Sequence, residues 1–481
     1  MTTPAPTSGL GWLRWAIPLA GVLLWFAGFP APHSDDLFFG GAAIHLAQGH
    51  GLGNPWVGNW LQQHFHSDAF YVQPPYHTWA QGAWLWLVGI SGATLRAFPL
   101  AWSTVGAVAV ADALIRGGVP RRIAGLATIV WFGFILYYGL RADALGLGLI
   151  GAGHLLLVRP STLSRVVGLW LCGLGAATHP FALTVAIPVL AAHLGVAAWQ
   201  SPTATDRRRL LLGAGAAAAA GAILIAVLGV ALIGGEVGEF FRIFNHHRNL
   251  ALPGALQRWD YFSGQFLLGR ESLRRLPFVI GAIGLIGFGA WRGPAAVRVR
   301  WCCLGLAFMS GLGYTLYAQY LARYLVFALF LLLPLAGNAL AASGWPRGAA
   351  LILALLTCGT ATDFLALAAR RIPPPAADVE KLRAKIATDK HPILVLDEFS
   401  IRYLYDFRPP ARTRDWQVGR PAGGRLLGFP VAQKPAEELW VVNTYKLARA
   451  VSGLSLVPSY LQFGGHSFRS LELGVDLAAV P

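Results

Sequence analysis

The chain has 481 residues, of which 55% are hydrophobic and only 12% are charged, and its mean hydropathy is +0.53. Because soluble domains carry about 25% charged residues, this composition excludes an ordinary soluble globular protein and indicates a polytopic membrane protein. The formal net charge is +16, but the basic residues are spread over many short loops. That distribution argues against nucleic-acid binding and is typical of cytoplasmic loops under the positive-inside rule.

The first predicted membrane span covers residues 15–29, and we interpret it as a retained span because no small-residue cleavage site follows it. Arg14 precedes the span and favours a cytoplasmic N-terminus. Asp35 and Asp36 then emerge on the outer face. Two adjacent carboxylates near apolar surroundings raise each other's pKa, so one of them is a candidate general base. The alternative is that an aspartate caps the helix predicted at residues 37–48.

A long outer segment, residues 33–93, is rich in Trp, His and Pro. Its last part, residues 76–89, is predicted to be a helix on the outer surface, because a full crossing there would place the later basic loops outside. Two consecutive prolines give this helix a rigid, extended start. The polar side chains around the prolines are either part of that start or ligand contacts, and they are Tyr71, Gln73, Tyr76 and His77.

Later apolar runs bring the prediction to about eleven spans, with every short inner loop basic. The further spans are residues 95–115, 123–139, 144–158, 166–177, 181–199, 210–233, 277–291, 302–316, 325–342 and 349–368. Arg141 and Asp143 lie at the outer start of the fourth span. An acid at a membrane boundary is a functional candidate in a chain so poor in acids, and the alternative is an N-cap.

The second long outer segment, residues 234–276, contains six arginines that the positive-inside rule does not explain, including Arg270. At the outer end of a later span, Tyr320, Arg323 and Tyr324 have two interpretations. They form an aromatic belt with an arginine that reaches the interface, or they form a clamp for a phosphate group.

Metal binding and disulfides are not predicted. His64 and His66 are weak candidates for a metal, but no third and fourth ligand follows at a recognisable spacing. The chain contains 4 cysteines, all within apolar runs, and we interpret them as small buried side chains.

The composition changes at the three prolines of residues 373–375, beyond which every lysine of the chain lies. Residues 378–388 predict a helix, whereas residues 392–396 and 438–443 predict strands. We therefore expect two domains: a transmembrane domain over residues 1–370 and a small extracytoplasmic α/β domain over residues 376–481.

The order of these features resembles the GT-C membrane glycosyltransferases, of the protein O-mannosyltransferase and lipid A aminoarabinose transferase kind. The resemblance covers about residues 12–337. It rests on five segments in order: SDDLFFGGAAIHLAQGHGL, FYVQPPYHTWAQGAWLWLVGIS with the following LRAFPLAWS, LRADALGLGLIGAGHLLL, THPFALTVAIPVL and RYLVFALFLLLPLAG. Two positions depart from the family pattern. Asp36 stands where Glu is common, and Gln73 stands where the aminoarabinose enzymes have a phosphate-contacting lysine.

The resemblance implies the GT-C fold, with outer-face juxtamembrane helices, and assigns roles to individual residues. Asp35 matches the family's catalytic carboxylate, Asp36 its acidic neighbour and Asp143 the acid of the second outer loop. Arg323 and Tyr324 fall where such proteins hold the donor phosphate.

The implied reaction moves a sugar from a polyprenyl-phosphate donor to a lipid, glycan or protein acceptor on the outer face of the cytoplasmic membrane. Asp35 would take the acceptor proton as the acceptor attacks the anomeric carbon, which inverts. This chemistry requires no cofactor, nucleotide or metal. Two alternatives are a lipid or oligosaccharide transporter (a flippase) and a non-catalytic envelope scaffold.

Overall fold

A computed structural model of the chain describes residues 9–30, 36–54, 58–116, 119–135 and 141–250, together with four β-strands further along. Most of these residues are helical. The α-helices of this part are α1 (Leu13–Phe26), α2 (Asp36–Ala47), α3 (Gly58–Phe65), α4 (Pro75–Val88), α5 (Gly92–Arg116), α6 (Arg121–Ile135), α7 (Ala142–Leu157), α8 (Thr162–Thr178), α9 (Leu183–Trp199), α10 (Ala204–Leu232) and α11 (Val237–Leu250). The four spans predicted over residues 277–368 and the helix predicted at 378–388 lie outside the described residues.

Two of the described helices are long and apolar enough to cross a membrane, judged by length and composition alone. They are α5, with 25 residues and a mean hydropathy of 1.6, and α10, with 29 residues and a mean hydropathy of 2.3. The apolar helices α1, α7 and α8 and most of α9 are shorter than a full crossing requires.

Helix α7 lies at the centre of the bundle, and all of its first ten residues are buried. Glycines allow its neighbours to approach closely. A Cβ atom on Gly175 of α8 would lie 2.6 Å from the carbonyl oxygen of Gly146, and one on Gly153 would lie 2.7 Å from the carbonyl oxygen of Gly168. Because those oxygens belong to the backbone, α7 and α8 pack backbone against backbone, as small residues permit in membrane bundles.

A polar network joins α5, α7 and α9 near the last turns of α5 and α7. Arg116 Nε–H donates to Asp112 Oδ2 at 2.6 Å, and His154 Nε2 lies 3.7 Å from the same oxygen. His154 Nδ1 and His193 Nε2 share a hydrogen bond at 3.0 Å. The network therefore ties three helices at the end of α7 that is farthest from Asp143.

Helix α10 lies at the edge of the bundle, where three aromatic side chains from α4 and α8 donate hydrogen bonds to its backbone carbonyls. The donor and acceptor residues are Trp170 and Ala217 at 2.8 Å, Tyr76 and Ile225 at 2.7 Å, and Trp79 and Leu232 at 2.8 Å. Only 6% of the apolar stretch of α10 is buried. Its outward side is lined by large exposed apolar residues, which are Leu211, Leu212, Ile223, Leu224, Val227, Leu228 and Val230.

A separate apolar cluster forms where α2, α3 and α11 meet the segment that precedes α4. Its buried members are Ala42, Leu61, Phe65, Phe70, Tyr71, Val72, Ile233 and Ile243. Apolar patterning does not predict the helices α3 and α11, because α3 is short and α11 is rich in polar residues. Both are amphipathic, and tertiary packing of one face stabilises such helices.

The four strands form one sheet in the order β1-β2-β4-β3. β1 (Ile393–Val395) pairs in parallel with β2 (Leu439–Thr444), and β4 (His466–Leu473) pairs antiparallel with both β2 and β3 (Val457–Phe463). The first two strands lie where the sequence predicts strands. The hairpin of β3 and β4 was not predicted, although the two residues between its strands are glycines, which favour a tight turn.

Candidate functional site

A buried ion pair marks the start of α7. Arg141 is the extended residue that immediately precedes the helix, and its Nε–H donates to Asp143 Oδ2 at 2.9 Å. Each of the two side chains is only 6% exposed. A buried charge must be compensated nearby, so this arginine and this aspartate hold each other in their charged forms.

His179 faces the other carboxylate oxygen of Asp143. It lies in the turn between α8 and a short 3-10 helix (Pro180–Ala182), and its Nε2 is 3.8 Å from Asp143 Oδ1. The backbone N–H of Phe181 donates to His179 Nδ1 at 3.3 Å, so the neutral imidazole carries its proton on Nε2, toward the carboxylate. Burial lowers the pKa of His179 to about 4, an effect that Asp143 opposes. His179 is therefore neutral at pH 7.

His77 of α4 completes this group. It is only 1% exposed, and its ring centroid lies 6.4 Å from that of Phe39 and 6.0 Å from that of Phe98. Burial lowers the pKa of His77 to about 3, while the charge of Asp143 acts in the opposite direction. Its Nδ1 has no hydrogen-bond partner within the described part of the chain.

The first turn of α2 lies against the same ion pair. The Arg141 guanidinium carbon is 5.0 Å from the ring centroid of Phe39, a cation–π distance. Phe39 stands three residues after Asp36, which begins α2. Asp35 comes directly before that helix and lies outside the described residues. The structure therefore brings α2, which begins at Asp36, close to the Arg141–Asp143 pair at the start of α7.

Next to His77, uncharged polar side chains are buried on α4 and just before it. Gln73, just before the helix, donates from Nε2 to Thr78 Oγ1 at 3.3 Å. Gln81 is one turn after His77 and is completely buried. Gln73 Oε1 and both polar atoms of the Gln81 amide lack hydrogen-bond partners among the residues that the structure describes. Buried amides are normally paired, so these atoms require an explanation.

Two of the candidate ligand contacts hold helices together instead of facing Asp143. Tyr71 O–H donates to Glu236 Oε2 at 2.7 Å, between α10 and α11, and Tyr76 O–H donates to the Ile225 carbonyl of α10. Four other candidates lie outside the described residues, and they are Arg270, Tyr320, Arg323 and Tyr324.

The two histidines proposed as weak metal candidates lie at the end of α3. His66 is exposed, whereas His64 is partly buried and has its pKa lowered mainly by burial and then by His246. No group of three or more His, Cys, Asp or Glu side chains in the described part of the chain has the geometry of a metal site.

His179 and Gln81 were not predicted as site residues, although the amino-acid sequence contains a signal for each. The turn that includes His179 falls on the same predicted membrane face as Asp143. Gln81 follows His77 by four residues, and residues with that spacing share one face of a helix. No protein-family model matches this chain, and no curated protein shows significant similarity to it.

Proposed function

We propose that the chain is a membrane glycosyltransferase that moves a sugar from a polyprenyl-phosphate donor to a lipid, glycan or protein acceptor. The observation that carries the proposal is the meeting of the first turn of α2 with the Arg141–Asp143 pair, through Phe39 at 5.0 Å from the guanidinium carbon. Asp35 directly precedes that turn. The sequence resemblance implies a general base beside a second, fixed carboxylate, and the approach of α2 to the Arg141–Asp143 pair supports that arrangement.

The membrane setting of the proposal is supported by α10. The apolar part of this helix runs from Leu210 to Leu232, a length of about 34 Å, which is enough for the roughly 30 Å of a hydrocarbon core. A largely exposed apolar surface of this length is favourable in lipid and unfavourable in water. We place the protein in the cytoplasmic membrane with about eleven spans and a cytoplasmic N-terminus. The four-stranded sheet would belong to an extracytoplasmic α/β domain.

In the proposed reaction, Asp35 accepts the proton of an acceptor hydroxyl as its oxygen attacks the anomeric carbon of the donor. The bond between that carbon and the phosphate oxygen breaks, and polyprenyl phosphate leaves with the electron pair. A single displacement inverts the anomeric carbon. Asp143, held by Arg141, would orient the sugar or the acceptor. Arginines such as Arg270 and Arg323, with Tyr320 and Tyr324, would hold the phosphate.

The test is sugar transfer by the full chain in proteoliposomes that contain a radiolabelled polyprenyl-phosphate sugar and an envelope extract as acceptor. Asp35→Asn should lower the rate by about 10²-fold or more, as loss of a general base does. Asp143→Asn should also lower it. Asp68→Asn is the matched control, because Asp68 is an exposed acid of the same outer segment that bonds only to Gln62 in the described part. Full activity of Asp35→Asn would refute the assignment.

A transporter is the second candidate function, because a buried charged pair at the end of an apolar helix is also typical of transport proteins. Movement of labelled lipid across the bilayer without a new glycosidic bond would favour it. Mass spectrometry of envelope glycans, with and without the gene, would identify the sugar and the acceptor.

A further inference from the structure

Three buried polar side chains lie along one side of α4 and the residues before it. Gln73, His77 and Gln81 are 7%, 1% and 0% exposed. His77 and Gln81 are four residues apart, which places their side chains about 5–6 Å from each other on one helix face. Gln73 is joined to this face through its hydrogen bond to Thr78, which lies three residues before Gln81 on the same helix. We call these three residues the neutral strip.

Four polar atoms of the neutral strip have no hydrogen-bond partner among the described residues: Gln73 Oε1, His77 Nδ1, Gln81 Oε1 and Gln81 Nε2. An unpaired buried polar group is costly, and three such side chains in one place are unusual in a folded protein. Ser103, a completely buried polar side chain of the same helix bundle, is by contrast satisfied by the chain itself, because its O–H donates to the Pro99 carbonyl at 2.6 Å.

The chemistry of these atoms defines what they can bind. The two amide oxygens accept hydrogen bonds and cannot donate them, whereas Gln81 Nε2 only donates. A ligand that satisfies all of them must therefore present both donors and acceptors. A phosphate dianion offers acceptors alone and would leave both amide oxygens unpaired. Sugar hydroxyls offer a donor and acceptors on every oxygen.

The charges around the neutral strip also favour an uncharged ligand that carries hydroxyl groups. Arg141, a cation whose charge acts on His77, is already paired with Asp143 at 2.9 Å. His77 is neutral at pH 7, because burial keeps its pKa far below that pH. Within the described part of the chain, neither Arg141 nor His77 offers an anionic group an uncompensated positive charge, whereas an uncharged hydroxyl-bearing group needs none.

We propose that Gln73, His77 and Gln81 bind the uncharged, hydroxyl-rich sugar of the substrate, and that the phosphate is held elsewhere. The inference rests on the proposed function and deepens it, since it assigns the sugar side of the site to α4.

The experiment compares two kinds of lipid on the full chain in nanodiscs by isothermal titration calorimetry. One is farnesyl phosphate, and the other is the set of its esters with mannose, glucose, galactose and arabinose. The unmodified chain should bind at least one ester about tenfold more tightly than farnesyl phosphate, an increment typical of one or two added hydrogen bonds.

Gln81→Leu keeps the size of the side chain and removes its amide. It should weaken binding of the preferred ester by about five- to tenfold and leave farnesyl phosphate unchanged. Gln62→Leu is the matched control, because Gln62 is an exposed glutamine of α3. Gln81→Leu should also unfold at the same temperature as the unmodified chain or a higher one, since it removes an unpaired buried amide. A loss of ester binding is then not explained by unfolding.

The outcomes separate this inference from the proposed function. If the unmodified chain prefers an ester and Gln81→Leu keeps that preference, the strip holds only water and the inference is overturned, while the proposed function stands. Equal binding of farnesyl phosphate and all its esters also overturns the inference. If the unmodified chain binds none of these lipids yet folds, the proposed function is overturned, and the inference with it.

Discussion

The carboxylate of Asp143 has a different neighbour on each oxygen. Arg141 donates to Oδ2 at 2.9 Å, and the protonated nitrogen of neutral His179 faces Oδ1 at 3.8 Å. The first contact fixes the charge and the orientation of the carboxylate. The second is longer than a hydrogen bond, so it constrains Oδ1 less than Arg141 constrains Oδ2. In the proposed reaction this fixed, charged carboxylate would orient a substrate group, whereas the proposed base, Asp35, must be able to take up a proton.

The buried histidines predict a specific dependence of stability on pH. The pKa of His179 is about 4 in the folded protein, compared with 6.5 for an exposed histidine. Between these values the unfolded chain binds more protons than the folded one, so stability is complete above pH 6.5 and falls as the pH decreases toward 4. From pH 6.5 to pH 5, His179 alone should remove about 1.5 kcal/mol.

Thermal unfolding of the detergent-solubilised chain measures this effect. The window from pH 6.5 to pH 5 lies above the range in which most carboxylates titrate. His179→Asn retains an acceptor for the Phe181 N–H and removes the titrating ring, so its unfolding temperature should change less across the window. An unfolding temperature of the unmodified chain that stays constant from pH 6.5 to pH 5 would contradict a neutral, buried His179.

At the scale of the elements, the position of Asp143 depends on how closely α7 approaches α8. Backbone oxygens of α7 occupy the space that side chains would need at Gly175 and Gly168 of α8. A wider separation of the two helices would also move the turn after α8, which carries His179. The packing of glycines thus determines the distance between the carboxylate and the histidine.

Gly175→Ala tests this dependence. The added methyl group would meet the Gly146 carbonyl oxygen at 2.6 Å, and backbone atoms cannot rotate away. The substitution should destabilise the protein by about 1–3 kcal/mol, as overpacking usually does. Gly213→Ala in α10 is the control. No atom lies within 4 Å of the position of its Cβ, and alanine is the better helix former, so it should be neutral or slightly stabilising. Equal unfolding temperatures of the two variants would argue against a tight α7–α8 contact.

Apolar periodicity predicts the long elements well, because it reports directly on what a helix buries. The apolar runs at 95–115 and 210–233 correspond to α5 and α10, and the double proline starts α4 at Pro75. Periodicity fails for α11, whose sequence VGEFFRIFNHHRNL includes two arginines and two histidines. Its stability comes from Phe240 and Ile243 packing against the cluster of α2 and α3, a tertiary contact that no local pattern reports.

The site is predictable only in part for the same reason. Asp143, Arg141 and His77 could be singled out by residue type and by position relative to the apolar runs. Their proximity depends on three helices that are separated in sequence, and no spacing rule encodes it. His179 was missed because a histidine in a turn is unremarkable until its ring is placed beside a carboxylate.

At the scale of the whole molecule, the exposed apolar side of α10 indicates the surroundings of the bundle. Arg207, Arg208 and Arg209 stand at its N-terminal end, and the amphipathic α11 follows its C-terminal end. If α10 crosses the bilayer as we propose, the arginines face the cytoplasm and α11 lies at the outer surface.

Cysteine labelling in intact cells tests this orientation. In a variant whose four natural cysteines are replaced by alanine, Gly238→Cys should react with a membrane-impermeant maleimide. Thr205→Cys should react only after the cells are permeabilised. Both positions are exposed and lie near opposite ends of α10. Labelling of Thr205→Cys in intact cells, with protection of Gly238→Cys, would reverse the topology and move Asp143 to the cytoplasmic side.

The pairing of Arg141 with Asp143 has an electrical consequence. Moving one elementary charge through the membrane potential changes the free energy by about 2.3 kcal/mol per 100 mV. A guanidinium and a carboxylate 2.9 Å apart carry no net charge, so they can shift together without coupling to the voltage. An energised cell and a de-energised one should therefore present the same arrangement of these two residues to an arriving substrate.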